Sequence, residues 1–314
     1  MKFSEYTNRL FKAGIFLAGF LVLGTVVMAQ DEKTDSTEAI EKPVAKKPKP
    51  AKIFESVWIG DNQTVMVPSI KTFEMDIQHR FGTVEKGYED FWGLFAPSNI
   101  RLGFSYSPIK NLNVGIGIAK ANLLWDGSVK YAIIQQTKGQ WPVSITYFGD
   151  MSFDSRKDPD GSIFKYPEDR WMYFHQLIIA RKVTKKLSLQ VAPSVSHQNS
   201  VYGYYYPVDS TGKKAIGQEM KHDHFAISVA GQYKLTTVTS LIFNYDQPIT
   251  QHTINNPNPN LLFGVEFNTS NHSFQIFAGN FQLLSPQRNN LYNHNNYQDG
   301  EWLIGFNITR LWNY

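Results

Sequence analysis

The sequence predicts an all-β fold, a transmembrane antiparallel up-and-down β-barrel of the outer-membrane type with about twelve strands. Three observations lead to this prediction. Apolar and polar residues alternate over strand-length segments, short and long connections alternate between those segments, and no internal apolar run is long enough for a membrane-spanning helix. A large secreted β-sandwich would share the alternation of residues, but it has no reason to separate its loop lengths in this way.

The composition agrees with a wall that faces lipid on one side and water on the other. The 314 residues include 14% aromatic and 18% charged side chains, and no cysteine. The lack of cysteine excludes disulfides, thiolate metal sites, catalytic thiols and the acyl attachment point of a lipoprotein. The net charge is +4, of which +2 lies beyond residue 29. Such a small excess gives no reason to expect nucleic acid as a partner.

Residues 1–29 have the features of a secretory signal peptide. Lys2, Arg9 and Lys12 precede an apolar stretch at 13–28, and the small residue Ala29 is followed by polar residues. An uncleaved anchor helix is the alternative, although glycines interrupt the apolar stretch. We therefore predict export, cleavage after Ala29 and residence in the outer membrane of a Gram-negative bacterium.

The next segment, 30–54, is rich in Lys, Pro and Glu and cannot bury enough apolar surface to offset its chain entropy. It is predicted to be a disordered periplasmic tether, with the barrel domain occupying 55–314. Residues 55–69 are more apolar and contain Gly60-Asp61-Asn62. They predict either a small hairpin in the periplasmic mouth of the barrel or an irregular lead-in.

Residues 171–199 show the strand pattern most clearly. Here Leu189, Val191 and Val195 alternate with polar residues that include Gln190, the period of two that places one face in lipid and the other in water. The short charged turn at 183–186 makes the two strands antiparallel neighbours.

The same pattern predicts twelve strands along the chain. They are placed near 70–83, 99–108, 112–121, 128–137, 142–152, 171–183, 187–199, 224–235, 239–248, 260–270, 273–284 and 302–313. Connections after the even-numbered strands are brief, whereas those after the odd-numbered strands are mostly long. This layout is typical of an outer-membrane barrel with short periplasmic turns and long extracellular loops.

The last predicted strand carries apolar and aromatic residues on one face. These are Phe306, Ile308, Trp312 and the C-terminal Tyr314. They resemble the terminal signal by which barrels are inserted into the membrane, although a soluble protein ending in a strand would look similar. The expected partners are outer-membrane lipid and the barrel-insertion machinery, with periplasmic or surface proteins as further candidates.

Charged and amide side chains on the opposite face of the strands predict a polar network in the lumen. Arg80 and Arg101 point inward on neighbouring strands. The predicted network contains Arg80, Arg101, Glu74, Asp76, Lys130, Gln190, Glu266 and Gln275, and the same face includes Gln136, Gln232 and Lys234. Its functional interpretation is a selectivity filter or solute site, and its structural interpretation is a set of pairs that hold the barrel closed.

No catalytic, cofactor or metal residues are predicted, and the protein is not expected to be an enzyme. Ser196 and His197 are adjacent on a strand and therefore point to opposite faces. His222 and His224 lie in a long loop without further ligands, and Asp158-Pro159-Asp160-Gly161 lacks the terminal ligands of a calcium loop.

Aromatic residues in two extracellular loops suggest a binding surface. Tyr202 and 204–206 lie in one loop, and Tyr292 lies within the Asn-rich stretch 289–296 of another. Such residues stack on sugars or on other proteins, or else simply pack the loops over the barrel mouth.

Several short blocks resemble a bacterial outer-membrane β-barrel family known as domain of unknown function 5777. They are His79-Arg80-Phe81-Gly82, Asn99-Ile100-Arg101-Leu102-Gly103, His175-Gln176-Leu177, Ala180-Arg181-Lys182, Ser188-Leu189-Gln190, Phe274-Gln275 and Gly305-Phe306-Asn307-Ile308-Thr309-Arg310. The resemblance spans about 53–314 and implies a barrel in the Gram-negative outer membrane without an assigned substrate. Two functions then remain open, a passive channel or transporter for small solutes and a non-conducting barrel that holds partners through its loops or tether.

Overall fold

The computed structural model describes residues 48–208 and 212–314, which form sixteen strands and one α-helix. The predicted signal peptide and most of the predicted tether lie outside the described residues. The wall strands are β3 (Thr72–Thr83), β4 (Asn99–Tyr106), β5 (Leu112–Ala119), β6 (Leu124–Ile134), β7 (Ser144–Asp154), β8 (Trp171–Lys182), β9 (Leu187–Gln198), β12 (Asp223–Lys234), β13 (Thr239–Pro248), β14 (Asn260–Asn268), β15 (His272–Gly279) and β16 (Leu303–Asn313). The other strands are β1 (Trp58–Ile59), β2 (Asn62–Gln63), β10 (Gly203–Pro207) and β11 (Lys214–Gln218), and the α-helix is α1 (Pro286–Tyr292).

The twelve wall strands form a closed antiparallel barrel, as the sequence predicts. Each pairs with its neighbour in the chain, and β16 pairs with β3 to close the wall. The hairpin of β10 and β11 projects from the connection between β9 and β12. No helix within 48–208 or 212–314 is long and apolar enough to cross a membrane.

The two faces of the wall have the polarity of a membrane barrel. Large apolar side chains are exposed on the outside, among them Leu102, Phe104, Ile116, Val129, Leu241, Phe263 and Ile276. Polar side chains are buried on the inside, among them Gln78, Asn113, Ser152, Gln176, Ser194, Ser228 and Asn244. This is the reverse of a soluble protein, and it follows directly from the period-two pattern of the strands.

Loop lengths separate by side, with one exception. The turns at 107–111, 135–143, 183–186, 235–238 and 269–271 form one end of the barrel, which we take as periplasmic. The opposite, extracellular end carries the loops 84–98, 155–170, 199–222, 249–259 and 280–302, together with the four-residue connection 120–123.

Three predicted strand boundaries differ from the structure by three residues or more, and one of them, the end of β6 at Ile134 rather than near residue 137, leaves Gln136 in the following turn instead of on the wall strand. Strand β6 begins at Leu124 rather than near residue 128, because Leu124 to Ala132 pair without interruption with β7. Strand β15 ends at Gly279 rather than near residue 284. The chain leaves the wall there because the Asn280 side chain binds the backbone of Leu261, Pro259 and Asn295 and ends the ladder.

The segment 53–65, called the plug below, runs inside the barrel. Strands β1 and β2 form a hairpin within it, so the structure shows the hairpin rather than the irregular lead-in. Ile53, Phe54 and Ile59 are almost fully buried and join an apolar cluster with the wall. The wall members of this cluster include Phe148, Phe174, Ile178, Ile242, Leu262 and Phe277.

Candidate functional site

The backbone of the plug is hydrogen-bonded to side chains on several wall strands, among them β7, β9, β15 and β16. Gln275 Nε2 on β15 donates to Trp58 O (2.6 Å), Gln190 Nε2 on β9 donates to Gln63 O (2.9 Å), and Thr146 Oγ1 on β7 donates to Val65 O (3.1 Å). Further donors to the plug backbone are Ser188 on β9 and Asn307 on β16. The polar wall residues therefore satisfy plug groups that would otherwise be buried without partners.

The tip of the plug is a two-residue turn at Gly60-Asp61. Gly60 has φ +62°, in the left-handed region that favours glycine, and a Cβ at this position would collide with Leu262. Its N–H donates to Gln275 Oε1 (3.2 Å) and its carbonyl accepts from Asn307. Both the turn and its place in the lumen thus depend on glycine.

Trp58 fastens the plug to the charged part of the wall. Its indole Nε1 donates to Glu74 Oε1 (3.2 Å), and its ring lies 5.4 Å from the guanidinium carbon of Arg101. Trp58 therefore anchors the plug, because its large ring is buried and its indole N–H has a hydrogen-bond acceptor.

Arg101 lies between two carboxylates. Its Nε and Nη2 bind Asp126 in a fork (2.9 and 2.6 Å), and Nη1 donates to Asp76 Oδ1 (2.8 Å). Gly103 and Gly117, which face each other on β4 and β5, leave the space that this guanidinium occupies. The group is buried, and its geometry is that of a strong bidentate pair.

Arg80 has different surroundings. Nη1 donates to Asn307 Oδ1 and to His79 O (both 2.9 Å), and the guanidinium carbon lies 4.6 Å from the centre of the Phe277 ring. No carboxylate among the described residues forms an ion pair with Arg80.

The remaining members of the predicted network contact the plug or each other. Lys130 Nζ donates to Gln63 Oε1 (2.8 Å). Glu266 accepts from Gln275 Nε2 (2.6 Å) and from Gln232, and Lys234 pairs with Glu55 just below the plug hairpin. All eight residues of the predicted network are buried inside the barrel, but they form separate groups instead of one chain of contacts.

Helix α1 occupies the extracellular half of the lumen. Gln287 Nε2 donates to Ser152 Oγ on β7 (2.7 Å), and Asn289 donates to Asp61 at the tip of the plug. Burial and the nearby Asp246 carboxylate raise the pKa of Asp61, which lies outside the membrane-spanning strands, to about 7. Between plug and helix lies a cavity of about 20 Å³, room for about one water molecule.

Several residues of this site were missed in the sequence. Asp126 was missed because the strand containing it was placed too late in the chain, and alternation from the true start would have pointed it inward. Asp246 was also missed, although alternation places it on the inner face of β13. Its carboxylate accepts from Asn62 Nδ2 of the plug (3.0 and 2.9 Å). Gln63 and Asn289 carry no local signal, since their roles depend on segments distant in sequence.

The other candidate residues lie apart from the lumen network. Ser196 is buried on the inner face, whereas His197 is on the outer face and contacts Asp223 (2.7 Å). His222 contacts the carbonyl of Gln198, while His224 packs against the ring of His252.

The residues of the proposed insertion signal follow the outer face of β16. Phe306 stacks on His79 with ring centroids 5.0 Å apart, and Trp312 packs on Phe73 at 5.6 Å. Ile308 lies between them along the same face, and the terminal Tyr314 is exposed.

Comparison with known proteins gives one family and several barrels. A family model described as a membrane-bound beta barrel domain matches residues 54–312. A search of curated proteins finds no match. Among solved structures, the chain is similar to the NanC porin (11% identity, TM-score 0.44, covering 77% of this chain and 99% of that one). It is also similar to an outer membrane channel from Pseudomonas putida F1 (10%, 0.47, 79% and 97%) and to the KdgM porin (11%, 0.41, 77% and 99%).

Proposed function

The chain belongs to the family of membrane-bound β-barrel domains known as domain of unknown function 5777, and from this premise we propose that it is an outer-membrane channel for small solutes that its own plug keeps closed. The observation that carries the proposal is the polar character of the wall beneath the plug. Gln190, Gln275, Thr146 and Asn307 donate hydrogen bonds to plug carbonyls. When the plug leaves, water can take over each of these bonds, so the net cost per bond is small, about 0.5–1.5 kcal/mol.

The route of the plug supports the same proposal. Ala51 N donates to Gln136 O (2.8 Å) in one periplasmic turn, and Lys182 Nζ donates to Lys52 O (3.0 Å) next to another. The plug therefore enters from the periplasmic end as one continuous segment. A pull on the residues that precede it would act directly on the closed lumen.

A non-conducting docking barrel is the second candidate, and the apolar contacts of the plug favour it. Ile53, Phe54 and Ile59 pack into the wall cluster and bury surface that water would have to cover if the plug left. Full burial of each such side chain contributes about 1.5–3 kcal/mol. In this alternative the plug is a permanent core, and only the loops and the tether act on partners.

Single-channel recording in planar bilayers separates the two candidates. The chain from Gln30 onward is compared with a variant that lacks 30–66, which removes the plug and leaves every wall strand in place. A channel is expected to be silent or to open briefly with the plug present, and to conduct continuously without it. Closure by the plug is contradicted if the two chains conduct alike.

A cross-linked variant guards against misfolding of the deletion. Because the sequence contains no cysteine, Val65→Cys and Thr146→Cys can be bridged uniquely by a short, cleavable thiol reagent. Bridged barrels should stay silent and recover their openings after cleavage, whereas the matched control Thr146→Cys alone should not respond to cleavage. Silence of all variants, with the barrel still intact by gel mobility, would identify the docking barrel instead.

A further inference from the structure

A pocket of about 320 Å³ opens at the extracellular end, above the plug and apart from its contacts. It is bounded by the loop 155–170, the start of the loop 199–222 and helix α1. Its volume is at the lower end of the range for small-molecule sites, which fits a ligand the size of a monosaccharide.

The floor of the pocket holds an arginine that forms no ion pair within 48–208 and 212–314. Arg288 on α1 is only 8% exposed. Among the described residues, neither its Nε nor its Nη1 has a hydrogen-bond partner, and its guanidinium carbon lies 5.5 Å from the Tyr292 ring. Burying a cation in this way is costly unless something compensates its charge.

A second arginine, in the loop 155–170, is held rigidly and forms no ion pair with the described residues. Arg170 Nη1 donates to the carbonyls of Asp154 and Arg156 (both 2.9 Å), and its guanidinium lies 4.3 Å from the Phe164 ring centre. Neither Arg170 nor Arg288 forms an ion pair with any residue in the described ranges. A planar guanidinium fixed by stacking keeps its edge available for a carboxylate.

The carboxylates of the pocket already have partners of their own. Asp154 pairs with Arg156 (3.1 Å), and Asp169 accepts the backbone N–H groups of Lys165 and Tyr166 (3.0 and 2.9 Å). Neither acid forms an ion pair with Arg170 or Arg288, and the residues that line the pocket include three arginines against these two acids. The pocket keeps an excess of positive charge that suits an anion.

Aromatic rings supply the other half of the recognition. Tyr202 and Tyr292 line the pocket with their ring centroids 5.4 Å apart, and Tyr292 donates its hydroxyl hydrogen to Gln198. Aromatic bodies with polar tips suit a ligand that has both an apolar ring face and hydroxyl groups. These are the loop tyrosines that the sequence singles out as a stacking surface.

We propose that this pocket binds an acidic monosaccharide, with its carboxylate between Arg288 and Arg170 and its ring against Tyr202 and Tyr292. This proposal does not rest on the proposed channel function, because the ligand would bind to the closed protein and no conduction is needed. A carboxylate would give Arg288 the counter-charge that the protein itself does not provide.

Titration calorimetry on the purified full-length barrel tests the proposal with D-glucuronate as the probe. D-Glucose is the uncharged counterpart and acetate the carboxylate without a ring. Glucuronate should bind at least about tenfold more tightly than either. A single charge-assisted hydrogen bond to an arginine is worth more than a tenfold change in affinity. Equal binding of acetate would reveal a simple anion site, and equal binding of glucose would show that the arginines play no part, so either result overturns the proposal.

Three variants locate the site. Arg288→Gln and Arg170→Gln should each weaken glucuronate binding about tenfold or more. Arg181→Gln, which removes the same charge at the periplasmic end of β8, should leave binding unchanged. Because Arg170 is half-exposed on a loop, its variant remains informative if Arg288→Gln disturbs α1. Unaltered affinity in both pocket variants would refute the assignment.

Discussion

Two arginines on adjacent strands show how much the surroundings of a residue decide its role. Arg101 on β4 binds two carboxylates, whereas Arg80 on β3 binds an amide and a carbonyl and lies against Phe277. Removing Arg101 leaves two buried acids facing each other. Removing Arg80 leaves neutral acceptors in direct contact and the Asp61 carboxylate farther away, and these lose less than an acid that is paired directly.

We therefore expect Arg101→Gln to lower the free energy of unfolding by about 3–5 kcal/mol, and Arg80→Gln to lower it by clearly less. Urea unfolding of the folded barrel in lipid vesicles, followed by tryptophan fluorescence, measures both. Neutralising the acids as well, in Arg101→Gln/Asp76→Asn/Asp126→Asn, should recover part of the loss. Equal losses for the two single variants would mean that the carboxylate pair does not govern stability.

At the scale of one element, β9 separates its two faces residue by residue. Gln190 points into the lumen and donates to Gln63 of the plug, while Val191 points outward and packs against Ile179 of β8 and Val229 of β12. Near Pro193 the ladder to β8 is interrupted, because proline has no N–H to contribute. The strand remains paired with β12 through this position.

The two faces predict opposite responses to the same charge. Val191→Lys places an ammonium on the lipid side of the wall, where Val191 is only 6% exposed between its neighbours, and should cost at least about 2–4 kcal/mol of barrel stability. Gln190→Lys keeps an N–H donor toward the plug carbonyl and should cost less, its remaining cost coming from burial of a second cation beside Gln63, which Lys130 already binds. Folding yield and urea midpoint in vesicles compare the two, and equal sensitivity would show that the facing of β9 is misassigned.

At the scale of the whole molecule, both ends of the barrel domain lie on the periplasmic side. The N–H of Tyr314 donates to Lys71 O (3.3 Å) at the start of β3, and the plug leaves the lumen near the turn that contains Gln136. The predicted tether would thus continue from the plug into the periplasm. We expect export to precede insertion, as the predicted signal peptide implies.

Expression in a Gram-negative host should yield a chain that begins at Gln30 and sediments with the outer membrane. The folded barrel should migrate differently on a gel before and after boiling, because its closed ladder resists detergent until heated. Mass spectrometry of the N-terminus and density-gradient fractionation provide the measurements. A freely soluble product, or one that keeps Met1, would contradict the predicted signal peptide.

The sequence by itself determined the number of wall strands, most of their boundaries and the face on which most of their side chains lie. These properties are local, since a period of two assigns each residue to lipid or lumen without knowledge of its neighbours. It also determined which loops are long, because the number of residues between two strands gives the length of their connection. The inward direction of Arg101 and Gln190 needed nothing more.

Only the tertiary structure decided which inward residues meet and whether the lumen is filled. Arg101 joins Asp126 across 25 positions of chain, Gln275 joins Trp58 across 217, and Asn289 joins Asp61 across 228. These pairings depend on barrel closure and strand stagger, and on two segments that fold back into the interior. The plug is held in the lumen by many weak contacts with strands on every side of the barrel. Local alternation cannot predict these contacts, because they join residues that are far apart in the sequence.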